Sequence, residues 1–487
     1  MHQAHAWKTA VLLLLGSTIA LPAGAKQVTQ HYNLVYIMAD DLGKEWVSCY
    51  GAEDIETPNI DALAKSGMKF HNFYSMPQCT PTRVSLLTGQ YPFRHGWVNH
   101  WDVPRWGAGC SFDPELNPSF PRAIRDAGYA TAAAGKWQID DFRVEPGAMI
   151  EAGFDAYCMW TGYEAQNRPS ARRYADPYVY EDGKAETRAG AFGPDVYADY
   201  LVDFIGQNKD QPMFLYFPMA LPHTPFVTTP DAPDAHSDLD KHKAMVRYID
   251  KLVGRLVNAI EEAGLRRNTI VVFTTDNGST TNLPGTLHGR EVQGGKAKTI
   301  ESGINAPFIA SCPGRIAEGL DSYALVDITD IAPTFCAIAG VEAPDERYDG
   351  VSFLPVLDGL SVKSKRPWIM AMGGGNDAQV TDAGVQNLFW FRDRVLRTER
   401  YKAFIGPDRQ LMKLVDLDSS APEQDLQGSE SEEVQRVKKL FLDAVSSMPA
   451  ADADPIYTPL EPRDWYRKPS AKGDVWKKGY PGPSSRD

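Results

Sequence analysis

Five short runs of apolar and β-branched residues punctuate the chain: Asn33–Ala39, Gly128–Ala134, Pro212–Met219, Thr269–Thr275 and Ala306–Ser311. They are apolar throughout rather than at alternate positions, which predicts strands buried on both faces. Helical spacing fills the intervals at Pro58–Ser66, Ser119–Ala127, Asp195–Asn208 and Lys241–Gly264. The last is clearest, with Val246, Ile249, Leu252, Val253, Leu256, Val257 and Ile260 on one i, i+3, i+4 stripe. Strands alternating with helices predict an α/β fold around a large, mostly parallel central sheet. Functional residues of such sheets gather at the carboxyl ends of strands. Asp40-Asp41 and Asp276-Asn277 each follow one of the predicted strands.

From Pro367 the texture changes. Pro367–Met372, Phe389–Arg394, Arg400–Phe404 and Met412–Val415 predict short antiparallel strands, and Glu432–Val445 predicts an amphipathic helix. We therefore expect a catalytic domain over residues 26–366, a smaller C-terminal α+β domain with a short antiparallel sheet over 367–448, and an irregular tail over 449–487. Residues 1–25 read as a cleavable signal peptide. Lys8 precedes the apolar run Ala10–Leu15, and the segment closes on Ala23-Gly24-Ala25, a small-x-small cleavage site. That run is too short to span a bilayer. The expectation is a periplasmic or secreted protein, cleaved after Ala25, with no membrane span.

Charge narrows the choice of partners. Lys plus Arg is 50 against 63 Asp plus Glu, a formal charge of −13. That balance argues against a nucleic-acid partner, which needs a basic face, yet leaves room for a local basic pocket holding a small anion. The six cysteines, Cys49, Cys79, Cys110, Cys158, Cys312 and Cys336, are too few for a disulfide scaffold of this length and lack zinc spacing. Most read as small buried apolar residues. Cys79 is the exception. In Cys79-Thr80-Pro81-Thr82-Arg83-Val84-Ser85-Leu86-Leu87-Thr88-Gly89, Thr80 can cap a helix, Pro81 suits its first turn and Gly89 can end it. Cys79 then lies at a helix N-terminus, which favours an anion, and Arg83 lies one turn on. Asp40, Asp41, Asp276 and Asn277 offer hard oxygen ligands without sulfur or imidazole, a set that suits Ca²⁺ or Mg²⁺ rather than Zn²⁺. Taken singly, each pair reads equally well as a turn at a strand end.

The run C-T-P-T-R followed by L-L-T-G-Q-Y-P-F-R-H-G resembles the signature of the formylglycine-dependent sulfatases, in the alkaline-phosphatase-like superfamily. The resemblance extends from about Asn33 to about Leu426. It implies an alkaline-phosphatase-like sandwich and a sulfuric ester hydrolase. It implies that a formylglycine-generating maturation enzyme converts Cys79 to 3-oxoalanine (formylglycine), whose hydrated aldehyde is the nucleophile. It also implies that Asp40, Asp41, Asp276 and Asn277 bind one divalent cation, usually calcium. Arg83, Lys136 in G-K-W and Lys296 in G-K-A-K match positions that bind sulfate. His223, in P-H-T-P-F, is the candidate acid for the leaving alcohol, with Lys296 assisting.

Two positions depart from the family pattern. The usual G-K-W-H reads Gly135-Lys136-Trp137-Gln138 here, and Gln138 cannot accept the proton that the histidine would. It remains a candidate substrate contact. The usual E-G-G-x-R-x-P reads Glu301-Ser302-Gly303-Ile304-Asn305-Ala306-Pro307, with Asn305 in place of the basic residue. The aromatic-rich stretch Trp97–Trp106 suits sugar rings, which points to a sulfated polysaccharide or oligosaccharide substrate. His100, Arg105 and His288 are further candidate contacts. Two other functions fit parts of the pattern: a phosphonate monoester or phosphodiester hydrolase with the same nucleophile and metal, and a non-catalytic binder of sulfated glycans, which Gln138 would favour. A zinc phosphatase does not fit, because Asp238/His242 is the only D-x-x-x-H pair and reads as an exposed helix start.

Overall fold

The computed structural model describes residues 31–98, 110–140, 142, 145–160, 173–341, 348–373, 379–381, 384–386, 391–418, 424–452 and 457–459. The segment expected to be a signal peptide, His100, Arg105 and most of residues 449–487 lie outside them.

Ten strands form the ordered path of one large sheet. In chain order they are β1 (Asn33–Ala39), β2 (Met68–Tyr74), β3 (Ala130–Lys136), β4 (Ala156–Trp160), β5 (Tyr178–Glu181), β6 (Lys184–Thr187), β7 (Met213–Pro218), β8 (Thr269–Thr275), β9 (Asn305–Ser311) and β10 (Leu320–Ser322). The spatial order is β10-β2-β9-β8-β1-β7-β3-β4-β5-β6, with the two-residue strand Val326–Asp327 also pairing β2. The centre, β8-β1-β7-β3-β4, is parallel throughout. β9 runs antiparallel to both neighbours, and β5 and β6 are antiparallel additions at one edge.

Side chains of β1 alternate between two cores. Leu34, Tyr36 and Met38 enter one with helices α2 (Cys79–Thr88), α3 (Phe120–Asp126) and α6 (Ile331–Ala339). Val35, Ile37 and Ala39 enter the other with α1 (Pro58–Lys65), α4 (Gly193–Asn208) and α5 (Asp238–Glu262). Covering both faces is what the near-continuous apolar runs require. Four C-terminal strands, Ile369–Met372, Arg394–Arg397, Tyr401–Ile405 and Leu411–Asp416, form a second, antiparallel sheet. Met370, Leu396 and Ala403 of that sheet join the α2 side of the core, as does Phe441 of helix α7 (Glu432–Ser447).

Several expected elements shift. Of the strand expected at Phe389–Arg394, Phe389 and Trp390 lie outside the described residues, and pairing to Ile369–Met372 starts at Arg394. β3 runs on through Lys136, because Gly135 and Lys136 pair with Met159 and Trp160. β2, whose Lys69 and His71 interrupt its apolar run, carries no sequence signal of a fully buried strand, and it lies beside the antiparallel strand β9. Helix α5 begins at Asp238 behind a Ser237/Asp240 capping box, and His242 is not on an exposed helix start. It is buried, edge-on to Trp46 (ring centroids 4.5 Å apart) and against Phe226.

Candidate active site

The parallel strands β8, β1, β7 and β3 end side by side, and each carries chemistry onto the same rim. Asp40-Asp41 follow β1, Asp276-Asn277 follow β8, Lys136 ends β3 and His223 follows β7. Asp40, Asp41, Lys136, Asp276 and Asn277 are all buried. Gly135 sits at φ +129°, and a Cβ there would lie 2.0 Å from the Pro218 carbonyl oxygen, so only glycine lets β3 close on β7 at this point. Lys136 Nζ then donates to Asp40 Oδ2 at 2.7 Å.

Helix α2 supplies Cys79 and Arg83. Thr80 does not cap it. The chain is extended at Gln78, the helix begins at Cys79 itself, and the Thr80 hydroxyl is buried without a partner. Gly89, at φ +64°, closes the helix as its sequence suggests. Thr82 Oγ1 donates to the Asp276 carbonyl (2.7 Å) and ties the helix to the end of β8. The Arg83 fork gives Nη2 to Asp276 Oδ2 at 2.7 Å and Nη1 to the Lys136 carbonyl at 3.0 Å. Cys79 Sγ and one carboxylate oxygen each of Asp40 and Asp276 lie within 4.8 Å of one another.

Lys296 arrives from the loop before β9. Its Nζ donates to Asp41 Oδ2 at 2.6 Å, and His223 Nε2 lies 3.7 Å from the same oxygen. Asn277 Nδ2 donates to Asp41 Oδ1 at 2.7 Å. Close approach fixes this loop: a Cβ on Gly278 would fall 1.8 Å from the Ser302 carbonyl oxygen, bringing D-N-G against E-S-G. Three non-glycine residues here adopt left-handed backbone: Asp41 (φ 68°), Gln138 (φ 62°) and Ala297 (φ 66°). Each is a functional candidate or adjoins one, the usual place for backbone strain.

Burial, then the neighbouring Asp40 carboxylate, pushes the Asp276 carboxyl up to about 7. Burial works the same way on Asp40, but Lys136, Arg83 and Lys296 outweigh it and hold that carboxyl well below the usual range. Burial, Lys296 and Arg173 keep the His223 imidazole uncharged, well below its ordinary value. Asp40 Oδ1 and Asn277 Oδ1 are both buried with no hydrogen-bond partner. Two orphaned oxygens among hard-oxygen donors fit a divalent cation such as calcium.

The remaining sequence candidates divide. Gln138 is buried, and its Oε1 lacks a partner. His288 lies exposed on the turn of the hairpin Gly285–Leu287/Arg290–Val292, its backbone N–H on the Gly51 carbonyl, with no described contact to the acidic cluster. Asn305 accepts from Lys44 Nζ at 2.6 Å, and Glu301 accepts from Lys402 Nζ at 2.8 Å. Lysines from β1's following loop and from the second sheet thus stand where the family pattern has one basic side chain. Arg173 gave no sequence signal. It is one of three arginines between β4 and β5, with Arg168 and Arg172, yet it is buried and its Nη2 lies 2.7 Å from His223 Nδ1.

A doubly covered parallel sheet thus brings a helix N-terminus with Cys79, a cluster of acidic oxygens and two converging lysines onto one rim. The Sulfatase family model matches residues 32–341. The N-acetylgalactosamine-6-sulfatase of Canis lupus familiaris is 31% identical over 379 residues, covering 72% of this chain and 70% of that protein. Arylsulfatase A of Homo sapiens is 32% identical over 380 residues, covering 72% and 71%. A solved sulfatase structure from Pseudoalteromonas sp. superimposes with a TM-score of 0.66 at 23% identity, over 87% of this chain and 92% of that one. The chain belongs to the sulfatase family, within the alkaline-phosphatase-like superfamily, and is a sulfuric ester hydrolase. Among the described residues, no helix is long and apolar enough to cross a membrane.

Proposed function

We propose that this enzyme removes sulfate from a sulfated carbohydrate. Its nucleophile is Cys79, converted to formylglycine by a maturation enzyme, and one calcium ion is held by Asp40, Asp41, Asp276 and Asn277. The observation that carries this reading is the grouping of Cys79 Sγ with the Asp40 and Asp276 carboxylates within 4.8 Å. Arg83 and Lys296 also stand near Cys79, so the position suits an anion. The hydrated aldehyde supplies a hydroxyl nucleophile, and the cation supplies positive charge against the sulfate oxygens. Lys136 and Lys296 flank the cluster and add fixed positive charge where it grows on sulfate. His223 and Lys296, both beside Asp41 Oδ2, offer N–H groups to the departing alcohol oxygen. Gln138 is a neutral donor to the ester, which lacks the basicity of the usual histidine.

The sugar assignment is supported by relatives named for N-acetylgalactosamine 6-sulfate and by the aromatic run Trp97–Trp106. Export through residues 1–25 to the periplasm or medium suits degradation of sulfated polysaccharide. The test is chemical. In protein made with a maturation enzyme, mass spectrometry of the Cys79 peptide should show aldehyde in place of thiol. Cys79→Ala should lose at least about 1,000-fold in kcat/KM while melting as the wild type does. An unmodified thiol in fully active enzyme would refute the proposal.

A further inference from the structure

His223 is gripped from behind. Arg173 is buried, with its guanidinium 5.0 Å from the ring centroids of both Trp160 and Tyr174. Its Nη2 lies 2.7 Å from His223 Nδ1 and also donates to the carbonyl oxygens of His223 (3.4 Å) and Thr224. Tyr174 completes the grip, its hydroxyl donating to the carbonyls of Ala220 (2.7 Å) and His223 (2.6 Å). The opposite ring nitrogen, Nε2, faces Asp41 Oδ2 across 3.7 Å.

An arginine carries hydrogen on every guanidinium nitrogen and can only donate. An imidazole nitrogen that meets such an N–H at 2.7 Å must be the bare one, or two hydrogens would collide. The Thr224 carbonyl, also 2.7 Å from Nδ1, has lone pairs for two donors, so it is Arg173 that decides the tautomer: with its N–H given to Nδ1, the ring proton is left on Nε2, the nitrogen that faces the cluster.

We propose that Arg173 is a positioning residue for sulfate-ester hydrolysis, fixing His223 as the Nε2–H tautomer so that it presents a hydrogen bond to the departing oxygen. This rests on the reading of His223 given above. A hydrogen bond aimed at an oxygen that gains negative charge strengthens as the bond to sulfur breaks. It matters most for poor leaving groups, whose oxygen becomes most basic. Arg173 touches no reacting atom, and its influence passes entirely through the imidazole.

Two measurements separate this role from mere support of the loop. In ¹⁵N-histidine-labelled protein, with the signal assigned by His223→Gln, the wild type should show His223 with a bare Nδ1 and a protonated Nε2, and Arg173→Gln should shift or mix the tautomers. Across sulfate esters of graded leaving-group pKa, Arg173→Gln should lose about 10- to 100-fold in kcat/KM on an alkyl sulfate, and much less on 4-nitrophenyl sulfate. Arg173→Lys, which keeps a cationic donor, should recover part of that loss. Tyr174→Phe loosens the same loop without touching Nδ1, and should lower all esters alike. A protonated Nδ1 in the wild type overturns the proposal, even if the enzyme is an active sulfatase. So does an equal loss on every ester in Arg173→Gln. If His223→Gln itself leaves the alkyl-sulfate rate intact, the reading of His223 is what fails.

Discussion

Asp40 Oδ1 and Asn277 Oδ1 are the two atoms that best reveal what this rim is built to hold. A buried oxygen without a donor is costly, and here two of them converge among carboxylates. Calcium binding to the folded chain alone should therefore stabilise it, by about 2.7 kcal/mol at a hundredfold excess over Kd. Differential scanning calorimetry should show the melting temperature rise with added calcium and fall with a chelator. Asn277→Ala should blunt that dependence, and a melt indifferent to chelator would count against the site. The grouping of these side chains on one rim was readable in the sequence because D-D and D-N close two apolar runs. Arg173 was not, because nothing in the sequence sets it apart from the neighbouring Arg168 and Arg172 until the chain brings it to His223. Thr80 misled for a related reason: a threonine that looks like a cap lies at the second position of the helix, because the extended capping residue is Gln78.

At the scale of elements, the site depends on strands that end flush. Gly135 is the position where this is most exposed to test, since a methyl group would strike the Pro218 carbonyl. Gly135→Ala should cost about 3 kcal/mol or more in urea unfolding and withdraw Lys136 from Asp40. A change under about 0.5 kcal/mol, the range of an ordinary surface substitution, would mean that β3 and β7 have slack there. The central strands were legible because burial on both faces leaves unbroken apolar runs. β2 was not, since Lys69 and His71 point toward partly exposed surroundings and break the run. Nor could the sequence reveal that Lys44 and Lys402 gather around Asn305 and Glu301, because those partners come from distant segments.

At the scale of the whole molecule, His95 and His242 are sealed in uncharged form away from the rim. Burial pushes His95 and His242 down to about 3 from an ordinary 6.5. His95 accepts the Trp97 backbone N–H at Nδ1 and pairs with Ser85 Oγ through Nε2. His242 packs against Trp46 and Phe226. Between pH 6.5 and about 3 the unfolded chain takes up protons at these sites and the folded chain does not. Stability therefore falls as pH drops through that window, by up to about 1.4 kcal/mol per pH unit for each histidine, and their contribution is level above neutrality. Urea midpoints at about pH 7 and about pH 5 should differ accordingly, and His242→Phe, which keeps the aromatic packing, should shrink the difference. An unchanged difference would mean that His242 is protonated in the fold.

The central claim is that this chain cleaves sugar sulfates with a modified Cys79, and sulfate release from a panel of defined sulfated oligosaccharides tests it most directly. Protein co-produced with a formylglycine-generating enzyme should release inorganic sulfate from at least one member of the panel. Release should track the fraction of Cys79 converted to aldehyde and vanish in Cys79→Ala. Release that is independent of that fraction, or turnover confined to phosphodiesters and phosphonate esters, would contradict the account.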